Sequence, residues 1–321
     1  MVHSIAIVLL RVSRKLCRIV LARINISIRL LTTSAEGADG LWDKDKLEEV
    51  KSFLLSLDQA DPASLAYLKT HADRLARTIT LAPQARTSHR CLELGSYMHV
   101  APALNKFVGY HHVTTAALGP AGTKITKTAS SRGTVLLRCD LDLFDVERDS
   151  FPYPDEHFEL VLACELLEHL QIDPMHMFFE IHRVLELDGC ILLSTPNCAS
   201  WASLEQCLWM SANPYTYSLY PNPLRPGRDQ SALHIREYTP NEVRSLLEAA
   251  GFSVEVIITL PGRAVESKDI IQDLLMAYGF PTDLRGEQIY CLARKVATAA
   301  RVRFPRFLYE EFTADPPTDP A

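Results

Sequence analysis

The stretch that decides the fold covers residues 158–197 and reads FELVLACELLEHLQIDPMHMFFEIHRVLELDGCILLSTPN. Its apolar runs predict two strands, over residues 158–164 and 190–195, with a helix between them. Asp173 and Pro174 suit the helix start, because Asp caps free amides and proline fits the first turn, and Gly189 predicts its end. A strand, a helix and a strand at this spacing predict a βαβ unit whose two strands are parallel neighbours.

Polar residues follow each of these two strands. Glu165, Glu168 and His169 come after the first strand, and the run Ser-Thr-Pro-Asn at residues 194–197 ends the second. Both strands are almost continuously apolar, which is typical of a sheet covered on both faces. Because open parallel sheets bind ligands beyond the carboxyl ends of their strands, these polar residues predict the position of a site.

Two runs carry a family resemblance, FPYPDEHFELVLACELLEHL at residues 151–170 and EIHRVLELDGCILLSTPN at residues 180–197. They resemble the second half of a class I S-adenosylmethionine-dependent methyltransferase domain, of the type 11-like, small-molecule branch that includes quinone-biosynthesis methyltransferases. The resemblance implies a Rossmann-like, doubly wound α/β fold. Its sheet would have seven mostly parallel strands with the last strand antiparallel, its cofactor would be S-adenosyl-L-methionine, and helices would precede the sheet.

A second motif, CLELGSYMHV, begins at Cys91 and carries an acid followed by a glycine turn. Glycine allows the backbone to approach a ligand closely, and a helix amino terminus favours a carboxylate. The resemblance implies that the cofactor contacts residues at the ends of three different strands: Glu93, Gly95, Ser96, Asp140, Leu141, Cys164 and Glu165. Asp140 would accept a hydrogen bond from the adenine amino group, and Asp142 is the second candidate for this role. The alternative for the Glu93–Gly95 motif is an ordinary strand-to-helix turn, and the alternative for Asp140 is a surface aspartate.

Two regions of the sequence depart from the family pattern. Ser96, Tyr97 and Met98 stand where further glycines are usual, and Ala117 ends the strand predicted over residues 112–117, where the family has an acid for the ribose. These departures keep open a binding or scaffold protein on a degenerate methyltransferase fold, since fold does not fix function. A nicotinamide oxidoreductase is a third hypothesis, but the GxGxxG turn and the ribose acid that it needs are missing.

Methyl transfer from a sulfonium needs orientation and a dry pocket more than a nucleophilic triad. His169 and His234 are the candidate catalytic residues, as bases for an oxygen or nitrogen acceptor. The sequence predicts a small-molecule, lipid-like or sugar-like acceptor. Ala163, Cys164 and Glu165 replace the Asn-Pro-Pro-aromatic motif of amide and DNA-base methylation, and the net charge is −6, so no nucleic-acid partner is predicted.

The composition of the 321 residues bounds the remaining hypotheses. Its length predicts one large domain or two small ones, and no apolar run is long enough to span a bilayer. The eight cysteines include no CxxC pair, which predicts no zinc site, and most of them adjoin predicted strands. We therefore expect buried free thiols and a cytoplasmic protein, with peripheral membrane contact as an added hypothesis.

The chain divides into four predicted segments. Residues 1–40 contain a basic amphipathic pattern whose alternatives are a disordered extension, an upstream start codon, membrane contact through residues 1–30 or a transit peptide. Residues 41–85 predict a helical lead-in, residues 86–297 the methyltransferase domain, and residues 298–321 a flexible tail. Within the domain, residues 198–238 predict an aromatic-rich lid with Trp201, Trp209, Tyr215, Tyr217 and Tyr220.

Smaller features complete the predicted order of elements. Residues 119–133 predict a loop, and residues 134–139 a third strand with Asp140 at its carboxyl end. Residues 239–242, Thr-Pro-Asn-Glu, are a capping box, and Gly251 ends the helix that follows. The last two strands are predicted over residues 253–260 and 288–296.

Overall fold

The computed structural model describes residues 42–59, 62–86, 88–211, 233–296 and 303–309. They form a mixed α/β fold around one eight-stranded sheet, so the predicted fold class is confirmed, while the strand count is eight rather than seven. The strands in chain order are β1 Arg90–Leu94, β2 His112–Ala117, β3 Thr123–Ser131, β4 Thr134–Leu143, β5 Phe158–Cys164, β6 Leu185–Pro196, β7 Phe252–Leu260 and β8 Gln288–Lys295.

The order of strands across the sheet is β3-β4-β2-β1-β5-β6-β8-β7. The five strands from β4 to β6 in this order are parallel, whereas β3 is antiparallel to β4 and β8 is antiparallel to both its neighbours. The βαβ unit predicted around residues 158–197 is confirmed, since β5 and β6 are parallel neighbours. All parallel strands therefore end at the same edge of the sheet, where the candidate site lies.

Helices cover both faces of the sheet. They are α1 Lys44–Leu55, α2 Pro62–Leu81, α3 Val100–Ala103, which continues as a π-helical turn over Leu104–Val108, α4 Pro174–Val184, α5 Trp201–Leu208, α6 Pro240–Ala249 and α7 Lys268–Ala277. One buried cluster joins α4 and α6 to one face, and another joins α1, α2 and α3 to the opposite face. The alternation of apolar residues in β5 and β6 supplies both clusters, which explains their almost unbroken apolar sequence.

The stretch predicted as a loop over residues 119–133 contains an additional strand. β3 pairs with β4 as a hairpin at the edge of the sheet, and most of its side chains are exposed. Its polar and basic composition had suggested a loop, but Lys and Thr on an exposed edge strand also protect a sheet from pairing with other chains. β4 is correspondingly longer than predicted and ends at Leu143, so Asp140 lies within the strand and not at its end.

Helix α4 starts as predicted and ends earlier. Asp173 caps the helix by accepting from the amide of Met175 at 2.9 Å, and Pro174 occupies the first turn. The helix ends at Val184 rather than near Gly189, which lies within β6. A Cβ at Gly189 would lie 2.8 Å from the carbonyl oxygen of Glu186, so glycine is required there by a close backbone approach and not by a helix end.

The carboxyl-terminal part combines confirmed and unexpected features. The capping box at Thr239 and Glu242 is present, and Gly251 follows α6 with a φ of 94°. Helix α7 was not predicted. Residues 303–309 fall in the predicted flexible tail, yet Phe304 and Tyr309 pack on the core around α4, and the Tyr309 hydroxyl donates to Asp173 at 2.7 Å. This part of the tail is therefore a packed segment.

Several predictions fall outside the described residues. They are the amphipathic pattern of residues 1–40 and the aromatic residues Tyr215, Tyr217 and Tyr220 of the predicted lid. Within the described ranges, no helix is both long enough and apolar enough to cross a membrane. The cysteines in those ranges are free thiols, as predicted.

Candidate functional site

The turn after β1 is held in a conformation that needs glycine. Gly95 has a φ of 68°, which L side chains rarely adopt, whereas a Cβ there would meet only Leu166 Cδ1 at 3.8 Å. The next amide, of Ser96, donates to the carbonyl of Ala116 near the end of β2 at 3.0 Å. The Ser96 hydroxyl then accepts from the amide of Met98 at 3.2 Å. The backbone conformation, not lack of space, therefore explains Gly95.

Glu93 is a buried carboxylate just before this turn. Burial raises its pKa to about 7, although hydrogen bonds from the Ser96 hydroxyl and the Ala101 amide act in the opposite direction. Its Oε2 atom is buried and has no hydrogen-bond partner among the described residues. Because an unpaired buried carboxylate oxygen is costly, this atom indicates a missing partner that is cationic or carries a hydrogen-bond donor.

Helix α2 and the loop before it contact the residues that follow the glycine turn, mainly through aromatic rings. Tyr67 stacks on His99 with ring centroids 6.0 Å apart, and its ring lies 5.8 Å from that of Tyr97. His99 Nε2 bonds to the side-chain oxygen of Gln59 at 3.0 Å. The helical lead-in therefore packs directly over the glycine turn, and Tyr97, which is 75% exposed, forms the outer part of this cover.

Glu165 is the meeting point of three elements. It has a φ of 52°, which is uncommon for a residue with a side chain. Its Oε1 accepts from Ser194 Oγ of β6 at 2.7 Å and from Gln288 Nε2 of β8 at 2.5 Å, and its Oε2 pairs with Arg74 Nη1 of α2. The strained backbone is thus offset by an ion pair and two hydrogen bonds at the end of β5.

Arg74 links this carboxylate to the ring cover. Its Nη2 donates to the Tyr67 hydroxyl at 2.9 Å, while its Nε is buried without a partner among the described residues. Burial acts to lower the pKa of Arg74. The attraction of Glu165 and of its other acidic neighbours together outweighs this effect, so the pKa is raised. Arg74 therefore stays charged and ties α2 to the tip of β5.

Cys164 precedes Glu165 and carries a neutral thiol. Burial, followed by the nearby Glu165 carboxylate, raises its pKa to about 12. Its Sγ lies 3.6 Å from the carbonyl oxygen of Leu192. A thiol with so high a pKa is not a nucleophile at neutral pH, so Cys164 can only line the site.

The structure places Asp140 and Asp142 differently at the β4 side. Asp140 is exposed, and its Oδ1 accepts from Thr126 of the edge strand at 2.9 Å. Asp142 is buried and pairs in register with Ala116, one residue before the end of β2. It accepts from the Tyr153 hydroxyl at 2.8 Å and pairs with Lys124 at 2.9 Å. Leu141, between them, is buried opposite Thr115.

Both predicted histidines lie together beyond β5. The rings of His169 and His234 have centroids 5.1 Å apart, although the two residues are far apart in the sequence. The chain returning from the lid is held there because the amides of Ile235 and Arg236 donate to the carbonyl of Glu168 at 2.6 and 3.2 Å. Burial lowers the pKa of His169, with a smaller contribution from His234, which favours a neutral ring.

The segment predicted as a lid, residues 198–238, has its two described ends side by side. Asn197 forms a parallel bridge with Tyr238, and the amide of Cys198 donates to the carbonyl of Tyr238 at 3.2 Å. Helix α5 begins at Trp201 and is capped by Ser200. The amide of Trp201 donates to the carbonyl of Arg285 at 2.8 Å. The neck of the lid is therefore anchored at the carboxyl end of β6.

The structure brings most of the predicted site residues to one edge. Glu93, Gly95 and Ser96 form one turn, Cys164 and Glu165 end the adjacent strand, and His169 and His234 meet beyond it. Asp140 is further from the strand tips than Asp142. Reasoning from the sequence missed Arg74, Tyr67 and Gln288, because their elements lie far away in the chain and nothing in their local patterns pointed to Glu165. Glu168 could have been found from the sequence, because it lies three residues after Glu165 at the end of the same predicted strand.

Comparisons with known protein families match more than half of the chain. A family model described as "Methyltransferase domain" matches residues 67–256. A curated protein of Mycolicibacterium smegmatis, named "Probable S-adenosylmethionine-dependent methyltransferase", is 32% identical over 106 residues. That region is 32% of this chain and 32% of the relative, so the chain spans about a third of the length of the curated relative that it matches.

Two solved structures have similar coordinates at low sequence identity. One is a chain of Haloferax volcanii solved in complex with the Trm112 methyltransferase activator; it is 14% identical with a TM-score of 0.46, covering 77% of this chain and 97% of that one. A SAM-dependent methyltransferase from Archaeoglobus fulgidus is 17% identical with a TM-score of 0.46, covering 73% and 100%. At these TM-scores the two likenesses support no conclusion about this chain.

Proposed function

This chain belongs to the methyltransferase-domain family, and from that premise we propose that it transfers a methyl group from S-adenosylmethionine to a small-molecule acceptor. The family match confirms the methyltransferase class, and with it the cofactor, that the runs at residues 151–170 and 180–197 predicted. The activity of the whole protein is our proposal, as are the acceptor and the role of each residue.

The observation that carries the proposal is the unpaired Oε2 of Glu93. It lies buried just before the Gly95 turn, where the family resemblance implies the amino-acid end of the cofactor. The ammonium of S-adenosylmethionine would supply the donor that this oxygen lacks, and such a charge-assisted hydrogen bond is among the stronger kinds. The residues present therefore fit the cofactor at this end of the site.

Other residues at the strand tips would complete the cofactor site. We propose that Ser96 supports the turn, that Leu141 and Cys164 line the walls, and that Glu165 fixes the tip of β5 through Arg74. For the adenine we now favour Asp142 over Asp140, because Asp142 lies nearer the tips and Asp140 faces the edge strand. When bound, the cofactor supplies an activated methyl group on its sulfonium.

The acceptor would lie beside His169 and His234, below the neck of the lid. The backbone bonds from residues 235 and 236 to Glu168 hold His234 at the end of β5, so both rings can contact an acceptor there. We propose a small-molecule acceptor, lipid-like or sugar-like, and no nucleic-acid partner, because the net charge is −6. We propose a cytoplasmic location, because the described cysteines are free thiols, which persist under reducing conditions.

Isothermal titration of the folded chain with S-adenosylmethionine tests the cofactor assignment. We expect one equivalent to bind, and Glu93→Gln to weaken binding by about 10- to 100-fold, because a hydrogen bond to a charged group contributes about 1.5–3 kcal/mol. Glu159→Gln, a half-buried residue near the start of the neighbouring strand β5, is the matched control and should bind normally. Absence of binding at millimolar cofactor would favour the scaffold hypothesis instead.

A second experiment tests the acceptor class. The chain would be incubated with methyl-labelled S-adenosylmethionine and separate fractions of a cell extract containing small molecules, lipids, protein or nucleic acid. We expect the label in the small-molecule or lipid fraction. Label that enters only nucleic acid or protein would contradict the proposed acceptor.

A further inference from the structure

A cluster of one carboxylate and two imidazoles lies beyond β5, on the acceptor side of the site. Glu168, His169 and His234 each offer a ligand atom, and these atoms lie within 4.8 Å of one another. His169 Nε2 is 3.9 Å from Glu168 Oε1. The cluster therefore offers three candidate ligands from two segments of the chain, residues 168–169 and residue 234.

The carboxylate of this cluster has an unsatisfied oxygen. Glu168 is 1% exposed; its Oε2 accepts from Thr195 Oγ1 at 2.9 Å, whereas its Oε1 is buried with no partner among the described residues. The same oxygen is the one that faces His169. A buried carboxylate oxygen without a donor is expensive, so a cation between these groups would remove the cost.

Both imidazoles are oriented so that Nε2 points away from their protein partners. His169 Nδ1 is bonded to the carbonyl of Leu233 at 2.9 Å, which requires a proton on Nδ1. His234 Nδ1 is bonded to Glu237 Oε1 at 3.0 Å, which requires the same tautomer. With Nδ1 as the donor in each ring, Nε2 is the nitrogen that can bind a ligand, as in metal sites where a carbonyl or carboxylate fixes the other nitrogen.

From these contacts we infer that Glu168, His169 and His234 form a site for a divalent transition metal ion. Two imidazoles and one carboxylate suit zinc or a similar ion, and three protein ligands leave at least one coordination position open. This site departs from the sequence prediction of no metal, which considered only CxxC pairs. The ligands here come from a Glu-His pair and a histidine that returns from the lid.

The open position gives the metal a place in the proposed reaction, on which this part of the inference rests. A bound divalent ion holds an oxygen ligand and lowers its pKa, as zinc does for water. The acceptor would then be a molecule that presents a hydroxyl to the metal. In this arrangement His169 and His234 act as ligands and not as free bases.

Zinc binding by the purified full chain tests the inference without reference to methyl transfer. After removal of metals, equilibrium dialysis against ZnCl₂ should give one tight equivalent. His169→Gln and His234→Gln should each weaken it by more than about 100-fold, and Glu237→Gln by about 10- to 100-fold, the cost of losing an outer-shell partner. His176→Gln, a half-buried histidine on α4, is the control that should bind as the unchanged chain does.

X-ray absorption on the zinc-loaded unchanged chain removes any dependence on variants that fold poorly. Two imidazole ligands and no thiolate are expected. Binding that survives His169→Gln and His234→Gln, or coordination by thiolates, would overturn the site. Titration with S-adenosylmethionine alone separates the proposals: cofactor binding without zinc binding refutes only the metal site, and zinc binding without cofactor binding refutes only the proposed function.

Discussion

At the scale of single residues, Glu93 provides the most specific evidence about the site. Its raised pKa means that the folded chain favours the neutral carboxyl, so its contribution to stability is fully present below the ordinary pKa of 4.5 and is lost as the pH rises through about 7. The cofactor's ammonium, in contrast, should bind the ionised form. Stability and binding therefore depend on this group in opposite ways.

The pH dependence of cofactor binding is the first prediction. S-adenosylmethionine should bind more weakly as the pH falls from 7 towards 5, by a factor approaching about tenfold per pH unit, because the protonated fraction of Glu93 rises. Glu93→Gln should lose this dependence and should raise the free energy of unfolding at pH 8 by about 1–3 kcal/mol. Calorimetric titration and urea unfolding measure the two effects; a flat affinity profile in the unchanged chain would contradict the role.

Ala117 gives a second prediction, in which a lost group is restored. Ala117 ends β2 and is half-buried, so an acid there could reach a ribose at the strand tips. Ala117→Asp should tighten S-adenosylmethionine binding by about tenfold, since a hydrogen bond to a carboxylate contributes about 1.5 kcal/mol or more. Leu118→Asp adds the same charge at a side chain that is 68% exposed and should have no effect. Equal effects of both variants would show that only charge matters.

The same residues show what the sequence could reveal at this scale. The turn at Glu93 and Gly95 was predictable, because an acid and a glycine between a strand and a helix have a local signature; their contact with the cofactor stays a prediction. The preference for Asp140 over Asp142 could not be settled, because it depends on where β4 ends, and that end is set by pairing with β2 and with the unpredicted β3. Arg74 could not be predicted as a site residue, because its partner Glu165 is 91 residues away in the sequence.

At the scale of elements, helix α2 is fixed to the sheet by the Arg74–Glu165 pair, whose side chains are only 16% and 17% exposed. Arg74→Met should lower the free energy of unfolding by about 3 kcal/mol, because it leaves a largely buried carboxylate unpaired. Combining it with Glu165→Gln should recover part of the loss, as contacting residues do not act additively. Urea unfolding of the single and double variants gives the coupling.

Arg77 on the same helix is the matched comparison for that pair. It pairs with Asp73, which is largely exposed, at 2.8 Å, and it lies over the ring of Trp42. Arg77→Met should cost about 1 kcal/mol, because the Asp73 carboxylate that it leaves behind is exposed and the methionine side chain can still cover the ring of Trp42. A loss as large as that of Arg74→Met would mean that α2 is held by its general packing and not by the buried pair.

The β3-β4 hairpin is the other element whose attachment can be tested. Asp58, just after α1, accepts from the amides of Arg132 and Gly133 at 2.9 Å and from Ser130 Oγ at 2.8 Å. The hydrogen bond from Gly133 is the main cause of the lowered pKa of Asp58. Its support for the turn should therefore be present at neutral pH and be lost as the pH falls through that lowered pKa.

Asp58→Asn is the corresponding variant, and hydrogen exchange of residues 123–134 is its measurement. We expect faster exchange in the hairpin at neutral pH, with little change in β5 and β6. Glu48→Gln, an exposed change on α1, should leave the hairpin unaffected. Unchanged exchange in Asp58→Asn would show that the strand pairing alone holds the hairpin.

At the scale of the whole molecule, the parallel centre of the sheet and its antiparallel finish were predicted, whereas the strand β3 at the other edge was not. Long apolar strands alternating with helices constrain the centre of an α/β sheet strongly, because each βαβ crossover has one preferred hand. The edge strand β3 and helix α7 have weaker patterns, since exposed elements need few apolar residues. The proposed metal site could not be predicted from local sequence patterns, because it depends on residues 234–236 returning to the end of β5.

At this scale we propose that S-adenosylmethionine lies across the tips of β1, β2 and β4. Hydrogen exchange measured by mass spectrometry, with and without saturating cofactor, tests this placement most directly. We predict added protection at residues 95–99, 117–119 and 142–145, with none in α7 at Lys268–Ala277. Protection confined to other segments, or no protection with millimolar cofactor present, would contradict the central claim.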